Sequence, residues 1–135
     1  MAEPAAMREI IVQAYAARDQ GRLADLMSAY HPDAVFHLAG DKQALAVAGA
    51  IEGHANIGAA MENFIATFAF SNRHIISMIF QHDRAAVHSR FDVTFVPKGI
   101  SFATEVVDLF RFADGKIIEL VEFADTAMIN KVISG

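Results

Sequence analysis

Two acids sit where the surrounding pattern asks for apolar side chains. In the stretch 101–112, period-2 alternation places Val106, Asp108, Phe110 and Phe112 on one face, so Asp108 is the only acid in an apolar row. In 116–124 the same alternation groups Ile118, Leu120, Glu122 and Ala124, and Glu122 is the only polar member. If those faces are the core, each carboxyl is buried or lines a pocket. Burial penalises the charged form and raises a carboxyl's pKa, which turns an aspartic acid into a proton donor at neutral pH. The alternative for Asp108 is a side chain that bonds neighbouring backbone.

Whether the two acids meet depends on the turn between their strands. A two-residue loop at Asp114-Gly115 pairs Ala113 with Lys116 and puts the acids on opposite faces. A three-residue loop, Ala113-Asp114-Gly115, pairs Phe112 with Lys116 and puts them on one face. The expectation is the three-residue loop, a type I turn closed by a left-handed glycine.

A third candidate row lies in 85–96. His88, Arg90, Asp92 and Thr94 face one way, and Val87, Phe91, Val93 and Phe95 the other. The polar row either faces solvent over an apolar core or lines a wet pocket while the apolar row meets another subunit. In the second case His88 can serve as a base or proton shuttle. The working expectation is that Arg90, Asp92, Asp108 and Glu122 converge in one cavity behind Tyr15, with Arg90 neutralising one acid and Asp108 held protonated.

These rows must be positioned by a small number of elements. Pro4 suits a first helical turn, and Met7, Ile10, Ile11, Ala14 and Tyr15 recur at helical spacing before Gly21. Leu23, Leu26, Met27 and Tyr30 carry a shorter helix, broken at His31-Pro32-Asp33. A short strand follows at 35–38, and 39–55 has weak signal. Asn56 can cap a third helix, whose stripe runs Ile57, Ala60, Met61, Phe64, Ile65 and Phe68. Strands are expected at about 74–81, 85–96, 101–112 and 116–124, with a last helical turn after Asp125. The fold class is α+β: one domain over 1–135, a curved antiparallel sheet wrapped as a cone around three N-terminal helices, leaving one pocket.

The segments Tyr30-His31-Pro32-Asp33-Ala34-Val35-Phe36-His37, Glu52-Gly53-His54, Val107-Asp108-Leu109-Phe110-Arg111-Phe112 and Glu122-Phe123-Ala124-Asp125 carry a resemblance. They resemble the nuclear transport factor 2-like superfamily, and within it the SnoaL-like polyketide cyclases and ketosteroid isomerase-related proteins. That resemblance implies that Asp108 matches the isomerase's protonated aspartic acid, a neutral carboxyl that donates a hydrogen bond to an enolate oxygen. It makes Tyr15 the nearest match to the second donor, one residue out of alignment, and it puts Leu38 where the isomerase keeps its general base. Phe36 and Leu38 become substrate-facing positions, with His37 opposite them. Arg90-Phe91-Asp92 is similar to the Arg-x-Asp of limonene-1,2-epoxide hydrolases, and Glu122 falls at that family's third acid. There one carboxylate activates water, the arginine orients it and the other acid protonates the leaving oxygen.

Composition narrows the function further. Apolar residues make up 54% of 135 and charged residues 20%, with a net charge of −5 and no basic run, which argues against a nucleic-acid surface. No stretch is long and apolar enough for a membrane span, and Met1 to Arg8 show no signal-peptide pattern, so a cytoplasmic location is the default expectation. There is no cysteine, and no two of the six histidines stand three or four apart, so neither a metal nor a cofactor is expected. His54 is read as turn structure. Strands with apolar residues on both faces, such as His74-Ile75-Ile76-Ser77-Met78-Ile79-Phe80, imply a homodimer. The expected function is a cofactor-independent acid–base enzyme on a small, largely apolar oxygenated molecule. It would be of isomerase, cyclase, dehydratase or epoxide hydrolase type, and the alternative is a non-catalytic binding or association domain of the same fold.

Overall fold

In the computed structural model, which describes residues 3–135, apolar stripes and turn residues set the element order. Helix α1 (Pro4–Gln20) begins on proline, buries Met7, Ile11, Ala14 and Tyr15, and ends where Gly21 turns left-handed at φ 71°. Helix α2 (Leu23–Ser28) leads into β1 (Tyr30–Leu38) and β2 (Gly49–Glu52). Helix α3 (His54–Thr67) runs straight into β3 (Phe68–Gln81), followed by β4 (Arg84–Phe95), β5 (Ile100–Ala113), β6 (Lys116–Phe123) and helix α4 (Thr126–Ser134).

The six strands form one curved, open sheet in the order β2-β1-β6-β5-β4-β3. The antiparallel expectation holds for every neighbouring pair but one, since β1 and β6 run parallel. The helices pack on the inner face, where Met7, Ile11, Ile57, Val87, Phe110 and Ile117 anchor the main core. No helix among the described residues is long and apolar enough to cross a membrane.

Four local readings need correction. Strand β1 starts at Tyr30 rather than Val35, although its register on β6 shifts between Tyr30 and Val35, around the proline that lacks a ladder N–H. Helix α3 starts at His54 with Gly53 as N-cap, and Asn56 instead donates from Nδ2 to the Glu52 carbonyl at 3.0 Å. Helix α4 is a full nine-residue helix, with the Asp125 carboxylate accepting from the Met128 N–H. The fourth correction is the β5–β6 turn. Ala113 pairs with Lys116 across a two-residue loop, with Asp114 and Gly115 both at positive φ (54° and 72°). The register then shifts between Arg111 and Phe112: Phe112 faces Ile117, Arg111 faces Glu119, and Ile118 is the extra residue. That bulge, and not the turn, restores Asp108 and Glu122 to one face.

A second irregularity lies in β3. Ser71 pairs with Asp92 and His74 with Arg90, so Asn72 and Arg73 together stand against Phe91. Asn72 takes up the left-handed backbone at φ 55°. The bulge interrupts strict alternation and turns Arg73 onto the inner face.

Candidate functional site

The inner face of the sheet and helices α1 and α3 enclose a concave cavity of about 110 Å³ that opens to solvent. Its wall is mostly aromatic and aliphatic, with Phe36 and Leu38 from β1, Phe64 from α3, and Phe91 and Val93 from β4.

A few polar groups interrupt this wall. Asp108 and Glu122 are direct partners across β5 and β6, so their carboxyls stand side by side. Asp108 is 2% exposed. Tyr15 donates its phenolic O–H to Asp108 Oδ2 at 2.6 Å. Burial, and after it the Glu122 carboxyl alongside, push the Asp108 pKa well above the ordinary carboxyl range, while the Tyr15 hydrogen bond and the Arg73 charge pull it partly back. On balance these surroundings favour the protonated form of Asp108. Burial, then the charge and hydrogen bonding of Asp108, drive the Tyr15 phenol upward, so it stays a donor. Tyr30, also on the wall, is raised first by burial and then by the two acids.

Two guanidiniums complete the site, and sequence reasoning found neither. Arg18 lies one helical turn beyond Tyr15 on α1. Its Nη2 donates to the Phe64 and Phe68 carbonyls at 3.3 and 2.8 Å, closing the C-terminal end of α3. It stacks 3.7 Å above the Phe70 ring. Burial lowers its pKa to about 10, and nearby Glu122 and Asp19 hold it charged at neutral pH. Arg73 forms a fork with Asp19, Nε to Oδ2 at 2.7 Å and Nη2 to Oδ1 at 2.9 Å. Burial works against its charge, but the Asp19 pair outweighs it and raises its pKa. The spacing of Arg18 from Tyr15 was a usable signal on the α1 stripe. Arg73 had none, because the bulge at Asn72 breaks the alternation that would have revealed it.

The expected four-residue convergence does not form. Tyr15, Phe36, Leu38, Asp108 and Glu122 share the cavity, whereas Arg90, Asp92 and His88 lie on the outer face of β4. The reason is parity: Phe91 and Val93 fill the inner face, so the even-numbered row must point away. There Arg90 is exposed, His88 Nε2 meets Glu105 Oε1 at 2.7 Å, and Asp92 Oδ2 accepts from Asn72 Nδ2 at 2.8 Å. His37 alternates with the inward Phe36 and Leu38 on β1. His54 is structural, its Nε2 lying 2.8 Å from the Met27 carbonyl.

A curved sheet wrapped on helices around an apolar cavity defines an α+β protein of the nuclear transport factor 2-like class. The profile of the SnoaL-like domain matches residues 11–120, and the chain belongs to that family. A candidate isomerase of Bacillus subtilis superposes with a TM-score of 0.88 at 15% identity, covering 100% of this chain and 97% of that one. An NTF2-like protein of Burkholderia pseudomallei gives 0.81 at 21% identity, over 95% and 97% of the chains. TerC, co-crystallised with polyporic acid, gives 0.79 at 21% identity, over 94% and 97%. No curated protein matches the chain. At these identities the likeness concerns the fold alone.

Proposed function

We propose that this chain is a cofactor-independent acid–base enzyme that moves a proton next to a carbonyl of a small, largely apolar molecule, by isomerisation, cyclisation or dehydration. The observation that carries this reading is the buried Asp108, bonded by Tyr15 at 2.6 Å and paired with Glu122 inside an apolar cavity. Two carboxyls this close share one proton. In this reading the acid's role goes to Asp108, the more buried, and the base's role to Glu122, beside Arg18.

Glu122 then removes a proton from the carbon next to the substrate carbonyl. The C–H electron pair becomes the enolate double bond, and the carbonyl oxygen takes up charge against the Asp108 O–H. If the proton follows, the Tyr15 hydroxyl already bonds the Asp108 carboxylate that remains. Protonated Glu122 returns its proton to a different carbon, completing an isomerisation, or the enolate attacks an internal electrophile and closes a ring. Aromatic walls limit the water that would quench the enolate. Epoxide opening by an Arg-x-Asp pair draws no support from this arrangement, because Arg90 and Asp92 face away from the cavity.

The test is deuterium exchange at the α-carbon of a panel of cyclic ketones. Glu122→Gln should slow exchange by about a hundredfold or more, the usual scale of a lost general base. Binding without exchange in the wild type would leave a ligand-binding domain and end the catalytic reading.

The same reading includes a homodimer. On the outer face Ile79, Ala86, Leu109 and Val121 are successive cross-strand partners from β3 to β6, and Val107 pairs with Phe123 beside them. Ile79, Leu109 and Phe123 are 66%, 41% and 49% exposed, a contiguous apolar band that a second copy can cover. Light scattering should give a dimer mass that Leu109→Asp reduces to a monomer. A wild-type monomer at micromolar concentration would overturn this.

A further inference from the structure

One strong donor on the cavity wall is not used by the acid–base pair. Arg73 commits Nε and Nη2 to Asp19, and its guanidinium lies over the Tyr15 ring at 4.0 Å and the Phe91 ring at 4.4 Å. Its third nitrogen, Nη1, is buried and has no hydrogen-bond partner. The side chain is 9% exposed, so bulk water is a poor substitute. A buried guanidinium N–H left unpaired is costly, and proteins seldom retain one without a use. Asp108 Oδ1 is in the same condition, the other such atom belonging to a cavity-lining residue among the described residues.

Charge decides what kind of partner fits. The two guanidiniums, Arg18 and Arg73, stand among three carboxyl groups, with Asp19 bonded to Arg73 and Asp108 and Glu122 on the same wall. No positive charge is left over for an anion. A neutral oxygen with a free lone pair satisfies Nη1 without disturbing that balance.

We propose that Arg73 is a substrate-binding residue whose Nη1 donates to a second, neutral oxygen of the substrate. The cavity then takes apolar molecules with two separated oxygens, one held at Asp108 and the other at Arg73. This rests on the reading of the cavity as a substrate site and narrows its substrate class. Asp108 lies at the Tyr15 hydroxyl and Arg73 over the face of the same ring, so the two oxygens stand apart by roughly the width of that ring. Phe70 and Phe91 flank the guanidinium and wall the apolar frame between the oxygens.

The test compares two near-isosteric ligands by calorimetry: a hydroxytetralone with its second oxygen across the ring from the ketone, and the corresponding methyltetralone. Wild type should bind the hydroxy compound about tenfold more tightly, the scale of one satisfied polar contact. Arg73→Lys keeps a charge for Asp19 but loses the Nη1 donor, and should bring the two affinities within about twofold of each other. A variant-free measurement guards against misfolding: arginine side-chain NMR of wild type should show the Arg73 Nη protons slowed in exchange by the hydroxy ligand and unaffected by the methyl one. Equal affinities in wild type, retained discrimination in folded Arg73→Lys, or Nη protons that do not respond would each overturn the proposal. Discrimination in binding without deuterium exchange would keep Arg73 and remove catalysis. Exchange without discrimination would keep Asp108 and Glu122 and remove this role for Arg73.

Discussion

Strands β4 and β5 carry polar side chains on both faces, and the two faces do opposite things. The outer face is richer in reactive groups: His88, Arg90, Asp92, Thr94, Ser101 and Glu105. Yet His88 bonds Glu105, Thr94 bonds Ser101 at 2.7 Å, and Asp92 bonds Asn72, largely at exposed positions. The inner face offers a single acid, Asp108, in an apolar row, and its surroundings alter its acidity. Reactivity follows desolvation and a specific partner more than it follows the number of titratable groups.

The largest expected effect is in activity. Asp108→Asn should reduce ketone proton exchange by about a hundredfold or more, while Arg90→Ala and His88→Ala, both on the outer face, should stay within about twofold. Steady-state exchange rates on the same ketone check this, and an equal loss from Arg90→Ala would erase the distinction between the faces.

The next effect is in stability against pH. The folded pKa of Asp108 lies above its unfolded value, so the folded state holds this proton more tightly. The resulting stabilisation is fully present below the unfolded carboxyl pKa and is lost as pH rises through the folded one. Each unit of displacement is worth about 1.4 kcal/mol. Wild type should therefore lose denaturant resistance as pH rises from the acid side into the neutral range, whereas Asp108→Asn should show a flatter profile. Parallel profiles would mean that Asp108 ionises without cost.

The smallest effect concerns the device that aims Arg73. Asn72→Ala leaves a β-carbon in the left-handed region without the amide that favours that backbone and bonds Asp92, and should lose about 1–2 kcal/mol, whereas Asn72→Gly, with no β-carbon there, should change stability by much less. Asp92→Ala, which frees the Asn72 side chain, should fall between them. Urea titration of the three variants checks the order.

Much of the fold was legible because α1, α3 and the long strands carry clean periods, and Asp108, Glu122 and Tyr15 stood out as polar side chains on apolar stripes. Asp108 and Glu122 were expected on one face through a three-residue turn. They share it because a two-residue turn is offset by the extra Ile118. A bulge leaves no mark that alternation can detect, which also hid Arg73. The polar row of β4 misled for a different reason. Period 2 divides a strand into two faces but does not say which face the helices cover.

The parallel pairing of β1 with β6 also fixes when the cavity can exist during synthesis. Lys116 Nζ bonds the Ser28 carbonyl across 88 residues of chain, and His31 approaches Asp114 across 83. Phe36 and Leu38 lie against Leu120 and Glu122, which leave the ribosome long after them. Until then β1 has only the short β2 beside it, an exposed edge ready to pair with any other strand. Closing so distant a contact is slow in search terms. A nascent chain released early, or one stalled before residue 116, would present a half-walled apolar trough. Chaperone dependence should therefore concentrate in the interval between the synthesis of β1 and that of β6, which slots in beside it.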